Sequence, residues 1–312
     1  MGKSFDLICV GMALVDSLIR GFDPEPVSAA GYRAVSGTLS AGGEAVNEAV
    51  AAAKLGLKAG IFCALGDDDA GALVRGALER SGVDTRFVAL SPQTPVTTMF
   101  VREDGTRRSV TNQAHRYNFH PEDSPERFTD ARAVLLGSLF RAPFDDPEII
   151  HAVVSRASEA GQLVTADTKL PNFRVLSLED IRDSLPRIGF ITPNEDEARY
   201  FTKKEDPEAM ADVFLRYGVK NVIIKLGGRG CMMKNAAGTL FLPAYAVEAA
   251  DATGAGDNFA AGFLSGILRG DTTEEALRFA NACGAICASA VGAGTALRDR
   301  EQVLAFMREH PL

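Results

Sequence analysis

Short apolar segments alternate with longer helical segments along most of this chain, and this alternation limits the possible folds more than any other feature. Six segments are typical of buried strands, near residues 6–11, 60–65, 133–138, 162–167, 188–192 and 221–226. Helical stretches separate them, near residues 44–55, 69–81, 147–160 and 207–217. Strands that are connected through helices pair in parallel, and the helices then cover both faces of the sheet. The alternation therefore predicts an α/β fold with a mainly parallel sheet.

Two segments depart from this pattern. Residues 31–41 and 94–110 are rich in Thr, Val, Ser, Gly and charged residues, and their hydrophobicity alternates instead of following a helical period. Between the two halves of the second segment, Asp104-Gly105 is typical of a hairpin turn. We expect a small antiparallel sheet that stands apart from the main one. The alternative is a hairpin at the edge of the main sheet.

The composition is that of an ordinary globular protein. With 312 residues, 46% of them hydrophobic, the chain can bury a substantial core, and no apolar run reaches the length of a membrane span. The formal charge of −8 and the absence of a Lys/Arg block make nucleic acid an unsuitable partner. Residues 1–5 lead straight into the first predicted strand without the apolar core of a signal peptide, so we expect a cytoplasmic protein.

Cysteine and histidine spacing gives no indication of a transition-metal site. The five cysteines form no CxxC pair and lie in apolar surroundings, so we expect buried, reduced thiols. The four histidines form no HExxH or other paired spacing.

A glycine-rich turn followed by a carboxylate lies near the C-terminus, in the run DATGAGDNFAAGF at residues 251–263. Gly254 and Gly256 let the backbone approach a ligand closely, and the apolar run after them predicts a helix whose first N–H groups lack partners. Such N–H groups stabilise negative charge, and Asp257 in the first turn can accept a proton from a hydroxyl group. The simpler interpretation is a tight turn with a capping aspartate.

A second glycine pair opens an Ala-rich helix near the N-terminus. Gly42 and Gly43 begin the run GGEAVN at residues 42–47, which continues into a helix ending near Gly56. Taken alone, Asn47 is most simply a polar residue on a helix face.

Together, these two runs resemble the signature motifs of the ribokinase-like carbohydrate kinases, the PfkB family. The second position of the C-terminal motif, often Thr in that family, is Ala252 here. The resemblance covers nearly the whole chain. It implies one kinase domain over residues 1–312 with a three-layer α/β/α fold. It also implies that a small sheet, at about residues 12–41 and 94–112, acts as a lid over the sugar.

The same resemblance implies roles for particular residues at the sugar. Asp257 is the general base, and the N–H groups of Gly254, Ala255 and Gly256 form an anion hole for the transferred phosphoryl group. The implied sugar-binding residues are Asp16, Gly42, Gly43 and Asn47. From the sequence alone, Asp16 lies just past the end of the first strand, where a turn aspartate is the simpler interpretation.

Further residues are implied on the nucleotide side. Glu197, in an Asn-x-x-Glu element with Asn194, is associated with magnesium through bound water, although acids at a helix start also favour the helix dipole. The implied nucleotide-binding residues are Asn194, Lys225, Gly227, Gly230 and Asn281. Lys225 or Arg229 can neutralise phosphate, and a solvated turn is the alternative. Asp251 and the loop 290–295 are a family position for bound potassium.

The resemblance implies ATP-dependent phosphorylation of a hydroxymethyl group on a small sugar or sugar acid, with ATP and magnesium as cofactors. Ribose, fructose, an acidic keto sugar and a nucleoside all remain open as substrates. Arg107 and Arg108 near the predicted lid suit an acidic group, whereas residues 136–140 lack the acid expected for ribose. A nucleoside kinase, with Phe100 or Phe140 as a platform for the base, and a non-catalytic nucleotide-sensing regulator are the alternatives. The apolar side of the small sheet predicts a homodimer.

Overall fold

A large sheet of eight strands forms the centre of the protein. The computed structural model describes residues 2–21, 33–102, 106–112, 120–124, 126–290, 292–293 and 295–312. In spatial order, the strands are β14 (Gly238–Leu242), β13 (Cys231–Asn235), β12 (Asn221–Lys225), β11 (Phe190–Ile191), β10 (Leu163–Thr168), β9 (Ala131–Leu139), β1 (Phe5–Val10) and β4 (Ala59–Phe62). The six strands from β12 to β4 are parallel, as the alternation of strands and helices predicted.

Helices cover both faces of this sheet. Along β1, Leu7 and Cys9 contribute to one apolar core, whereas Ile8 and Val10 contribute to the other, because successive strand residues point to opposite faces. Helices α1 (Glu44–Lys54), α2 (Asp69–Arg80), α6 (Ala255–Arg269), α7 (Thr273–Ala288) and α8 (Arg300–Glu309) line the first core. Helices α3 (Pro147–Glu159), α4 (Glu195–Thr202) and α5 (Pro207–Arg216) line the second. The molecule therefore has three layers.

A separate four-stranded sheet lies beyond β1. Its strands are, in spatial order, β3 (Ser36–Gly42), β2 (Leu14–Arg20), β7 (Val96–Val101) and β8 (Arg107–Thr111). The predicted antiparallel pairing holds for β3 with β2 and for β7 with β8, but β2 and β7 pair in parallel, so the sheet is mixed. Asp104-Gly105 and residues 31–32 lie outside the described residues.

Strand β2 was not expected as a strand, and Asp16 lies within it instead of just past a strand end. The segment LVDSLIR has apolar pairs separated by a polar pair, a spacing that fits a helix better than the alternation of a half-buried strand. Its strand conformation depends on its neighbours β3 and β7, which bond to both of its edges. Sequence periodicity does not report such pairing.

Two smaller strand pairs complete the described sheets. Strands β13 and β14 form an antiparallel hairpin at one edge of the large sheet, and β5 (Ala64–Gly66) pairs with β6 (Ala89–Ser91) in a two-stranded sheet. All five cysteines are buried and free, as predicted. Among the residues that the structure describes, no helix has the length and apolar character that crossing a membrane requires.

Candidate active site

The C-terminal glycine turn leads into α6 as predicted. Gly254 is the N-cap and has a left-handed backbone, with φ of 78°. A side chain at this position would also clash with Ala293, so only glycine fits. Within the described residues, the N–H groups of Gly254 and Gly256 have no acceptor in the protein, but Ala255 N–H donates to the Ala252 carbonyl at 3.2 Å. Two of the three predicted anion-hole donors are therefore available, and the third must change partner to serve.

The two glycine motifs meet at Asp257. Asn47 Nδ2 in α1 donates to Asp257 Oδ2 in the first turn of α6 at 2.7 Å, across 210 residues of sequence. Asp257 is buried, and only 4% of its surface is exposed. Burial raises the pKa of Asp257 to about 6; Lys169 opposes this, and Glu44 and Asp167 add to it. A carboxylate of that pKa is ionised at neutral pH and close to the value that suits a general base.

Asp16 lies opposite the glycine pair. Strand β2 pairs Asp16 with Ser40 of β3 and Thr97 of β7, and a side chain at Gly42 would clash with the Asp16 carboxylate. The glycine therefore leaves room for this carboxylate and for a ligand beside it. Burial raises the pKa of Asp16 to about 6, with Glu44 as the second cause. The predicted sugar residues Asp16, Gly42, Gly43 and Asn47 thus lie around one end of α1.

A buried ion pair lies under the turn of α6. Lys225, at the end of β12, contacts Asp167 Oδ1 at 2.5 Å, and Thr192 Oγ1 donates to the same oxygen at 2.7 Å. A Cβ at Gly256 would lie 3.1 Å from Lys225 Nζ, so the ammonium group is directly beside the anion-binding turn. Parallel strands end at the same edge of a sheet, which is why β10 and β12 deliver both partners here.

Glu48 completes the buried group of acids. One carboxylate oxygen from each of Glu48, Asp167 and Asp257 lies within 4.8 Å of the other two. Glu48 is fully buried, and neither of its oxygens has a hydrogen-bond partner among the described residues. Burial, with Asp257 and Asp167 next, raises the pKa of Glu48 well above its usual range.

A second ion pair flanks the sugar side. Lys169 Nζ lies 3.4 Å from Glu44 Oε1, which is the first residue of α1. Although burial lowers the pKa of Lys169, the carboxylates of Glu44, Asp257 and Asp167 raise it above its usual range. Lys169 therefore stays charged and partly balances the acids around it.

Asn194 and Glu197 form a capping box at the start of α4. Asn194 Oδ1 accepts from the Glu197 N–H at 2.9 Å, and Glu197 Oε2 accepts from the Asn194 N–H at 2.9 Å. Thr168 Oγ1 also donates to Oε2, at 2.8 Å. The other carboxylate oxygen of Glu197, Oε1, receives no hydrogen bond from the described residues. A buried carboxylate with one oxygen fixed and one open fits a hydrated Mg²⁺ ion.

The remaining nucleotide-side predictions lie along one edge. Gly227 begins a short turn, at residues 227–229, that follows β12, and Gly230 ends it. Arg229 contacts Glu195 at 2.6 Å and so points to an acid, whereas Lys225 lies beside the glycine turn at Gly256. Asn281 of α7 donates to the Pro243 carbonyl at 3.0 Å. The structure thus brings Lys225 to the turn, while Asn281 braces the segment after β14.

The carboxylate of Asp251 holds its own loop. Oδ1 accepts from Thr253 N–H at 3.0 Å and from its hydroxyl at 2.6 Å, and Oδ2 accepts from Gly292 N–H at 3.3 Å. Arg107 of β8 lies 3.8 Å away. With both oxygens engaged beside a guanidinium group, this side chain fits poorly as a potassium ligand. Residues 291 and 294 of the predicted site lie outside the described residues.

Neither aromatic residue considered for a nucleoside base faces the sugar side. Phe140 is fully buried and its ring centroid lies 4.0 Å from that of Phe201. Phe100 pairs with Ile19 and Arg108, which alternate with Asp16, so these residues lie on the opposite face of the small sheet. Arg108 is therefore also directed away, whereas Arg107 shares the face of Asp16.

Sequence reasoning missed the two acids beside the base. Glu48 is the one charged residue among buried neighbours such as Ala45, Ala49 and Ala52, and an acid within an apolar helix face is a signal of buried function. Asp167 gives the same signal, as an acid inside the buried strand LVTADT.

Comparison with known proteins places the whole chain in context. Residues 7–300 match the sequence model of the pfkB family of carbohydrate kinases. An ATP-dependent ribose-1-phosphate kinase of Halopiger xanaduensis is 33% identical over 273 residues, covering 86% of this chain and 87% of that protein. The Arabidopsis thaliana ribokinase solved with ribose and ATP has a TM-score of 0.83 and 26% identity over 99% of each chain. A putative ribokinase II of E. coli, solved with ATP and Mg²⁺, has a TM-score of 0.79 and 25% identity, covering 98% of this chain and 100% of that one. The superpositions confirm the predicted ribokinase-like fold.

Proposed function

Because the chain belongs to the pfkB family of carbohydrate kinases, we propose that it phosphorylates a hydroxymethyl group of a small sugar or sugar acid beside Asp257. It is an ATP-dependent phosphotransferase that acts on a sugar hydroxyl. The observation that carries the proposal is the hydrogen bond of 2.7 Å between Asn47 and Asp257. This bond joins the residue predicted at the sugar to the residue predicted as the base.

In the proposed reaction, Asp16 and Asn47 hold sugar hydroxyls and leave one hydroxyl next to the Asp257 carboxylate. Asn47 donates to Oδ2, so Oδ1 is the oxygen that accepts the substrate proton. Because Asp257 is buried, bulk water is kept from competing with the sugar hydroxyl as the attacking group.

The transferred phosphoryl group lies against the N-terminus of α6. The N–H groups of Gly254 and Gly256 stabilise its charge together with the dipole of a 15-residue helix, and Lys225 supplies a positive charge beside them. The Arabidopsis relative was solved with ribose and ATP, and the E. coli relative was solved with ATP and Mg²⁺. Glu197 would hold the ion through Oε1, while Thr168 and the Asn194 N–H fix the carboxylate through Oε2. When bound, the ion would neutralise phosphate charge.

The small sheet acts as a lid in this proposal. Its Asp16 face points to the sugar, and Arg107 on the same face reaches 3.5 Å from Thr253 Oγ1 in the phosphate turn. The opposite face includes Leu39 and Val110, each 65% exposed, together with Ile19 and Phe100. We propose that this apolar face is covered by a second copy of the chain. Potassium activation stays a prediction without support from the Asp251 side chain.

A turnover assay tests the function. ADP release is measured with ATP and Mg²⁺ over ribose, fructose, an acidic keto sugar and a nucleoside, each with and without K⁺. We expect turnover with a sugar or a sugar acid and a product phosphorylated at a hydroxymethyl oxygen. Turnover with the nucleoside alone would replace the sugar substrate, and ATP binding without turnover of any acceptor would favour the nucleotide-sensing alternative.

A further inference from the structure

The three buried acids at the base differ in the donors that reach them. Asp167 receives Lys225 at 2.5 Å and Thr192 at 2.7 Å, and Asp257 receives Asn47 at 2.7 Å. Glu48 receives no donor from the residues that the structure describes, although it is fully buried and one of its carboxylate oxygens lies within 4.8 Å of the other two acids. A buried carboxylate without donors is very unfavourable, whereas a protonated carboxyl carries its own donor. Of the three acids, Glu48 is therefore the one that suits the neutral form.

The neighbours of Glu48 on every side strengthen this assignment. Asp257 faces it from α6, Asp167 from β10 and Glu44 from its own helix, while Lys225 of β12 is the cation beside it. Cys9 lies next to it on β1 as a buried thiol. On β9, a Cβ at Gly137 would lie 2.7 Å from Glu48 Oε2, so the backbone packs directly against the carboxyl group. Lys225 is already bound to Asp167, so the cation beside Glu48 is shared with a second acid.

We propose that Glu48 is a positioning residue of the phosphoryl transfer: it holds a proton at neutral pH and so allows Asp257 and Asp167 to be ionised side by side. The proposal rests on the assignment of Asp257 as the base. Adjacent like charges cannot all ionise, and the proton on Glu48 removes the third charge from the group. Ionisation of Glu48 at alkaline pH would place that charge beside Asp257 and oppose the binding of anionic ATP.

Unfolding by urea, without substrate, tests the proton on Glu48 separately from catalysis. Wild type, Glu48→Gln and the control Glu79→Gln, an exposed acid on α2, are compared from about pH 5 to about pH 8. The unfolded chain releases the Glu48 proton near its ordinary pKa, whereas the folded chain keeps it, so wild type should lose stability relative to Glu48→Gln as pH rises. The relative unfolding constant should change by up to about tenfold per pH unit, and Glu79→Gln should show no such change.

The pH profile of kcat/KM for ATP tests the link to Asp257. Wild type should lose activity on the alkaline side, and this loss should be absent in Glu48→Gln. Glu48→Leu removes the donor as well, and it should move the acid midpoint, assigned to Asp257, to higher pH. If Glu48→Leu does not fold, the Glu48→Gln profile and the urea series still decide the question.

Two results would overturn the proposal. One is a Glu48→Gln protein that is destabilised equally at every pH, which means that Glu48 is ionised in the folded chain. The other is stabilisation of wild type by Mg²⁺ or Ca²⁺ alone that Glu48→Gln lacks, which means that a cation and not a proton neutralises the three acids. A wild type that turns over no sugar would count against the proposed function, while the urea series would still report the proton on Glu48.

Discussion

Asp257 and Asp16 face the same site, but they are held in different ways. We call Asp257, Lys225 and the first N–H groups of α6, at the carboxyl edge of the large sheet, the floor of the site. In this floor, Asp257 is only 4% exposed and is fixed by Asn47 from another helix. Asp16 lies on the small sheet, half-buried, between Ser40 and Thr97 of its neighbouring strands. Both pKa values are raised to about 6, mainly by burial. The two carboxyl groups therefore have similar pKa values although their surroundings differ.

The difference teaches how the work is divided. The floor presents Asp257, Lys225 and the first N–H groups of α6 in positions fixed by several buried partners, which is what stabilising a transition state requires. The strands of the small sheet are less buried, and Arg107 reaches the loop before α6 with long contacts, 3.8 Å to Asp251 and 3.5 Å to Thr253. We infer that the floor determines the chemical step and the small sheet determines sugar binding and closure.

The largest test concerns the floor. Asp257→Asn keeps the size and the contact with Asn47 but cannot accept a proton, so kcat should fall by about 100-fold to 10,000-fold with little change in substrate binding. Turnover and nucleotide binding are measured together. Asp69→Asn is the matched control, because Asp69 is also an acid in the first turn of a helix but is exposed. Unchanged kcat in Asp257→Asn would remove this residue from the mechanism.

Lowering the pH tests Asp257 of the floor and Asp16 of the small sheet in one experiment. Asp257 and Asp16 must be ionised to act, and their pKa values of about 6 lie above the ordinary value of 3.8, so activity is present above pH 6 and lost as pH falls through it. With two protons taken up, kcat/KM for the sugar should be about 100-fold lower at about pH 5 than at neutral pH. Asp16→Asn should reduce this loss to about tenfold. A wild-type profile that reports one proton would show that the two acids do not both act in ionised form.

A sugar-side substitution should separate binding from chemistry. Asp16→Ala removes a charged hydrogen-bond partner, so KM for the sugar should rise about tenfold to 100-fold, while KM for ATP should change little. Ser17→Ala is the control, because Ser17 is adjacent on β2 and faces the other side of the sheet. Equal increases in both KM values would contradict the assignment of Asp16 to the sugar.

The two regions also differ in how well the sequence predicts them. The six parallel strands of the large sheet are predicted to within a few residues, because they are short, mainly apolar runs buried on both faces, whereas the hairpin of β13 and β14 is not predicted. Strand β2 escapes prediction because its apolar pairs lack the alternation of a strand and its pairing partners lie about 20 and 80 residues away in the chain. The parallel pairing of β2 with β7 also escapes prediction, because these two strands lie about 80 residues apart in the chain.

The site shows the same division. The motifs predict Asp257, Asn47 and the glycine turn, because the local sequence fixes a helix N-terminus. The contacts of Glu48 and Asp167 depend on four elements meeting at one edge, and no local pattern encodes that meeting. The engagement of Asp251 by Thr253 and Gly292 likewise becomes visible only in the folded loop. The assigned catalytic roles and the division into a lid and a core remain predictions.

The smallest effect on catalysis is expected from the outer face of the small sheet. Leu39 and Val110 are each 65% exposed on a four-stranded sheet whose other face carries Asp16. A sheet with few strands and an open apolar face gains stability when a second layer covers that face. The wild type should therefore sediment as a dimer of the 33.2 kDa chain at micromolar concentration.

Leu39→Lys places a charge on this face, on the edge strand β3, and should convert the dimer into monomers, because burying an unpaired ammonium group is costly. The floor is unaffected, so kcat should stay within about twofold, while KM for the sugar should rise by about threefold as the small sheet loses its support. Leu90→Lys, an exposed apolar residue on β6 at 76% exposure, is the control and should remain a dimer. A wild type that sediments as a single chain with full activity would show that the small sheet closes over the sugar without a second copy.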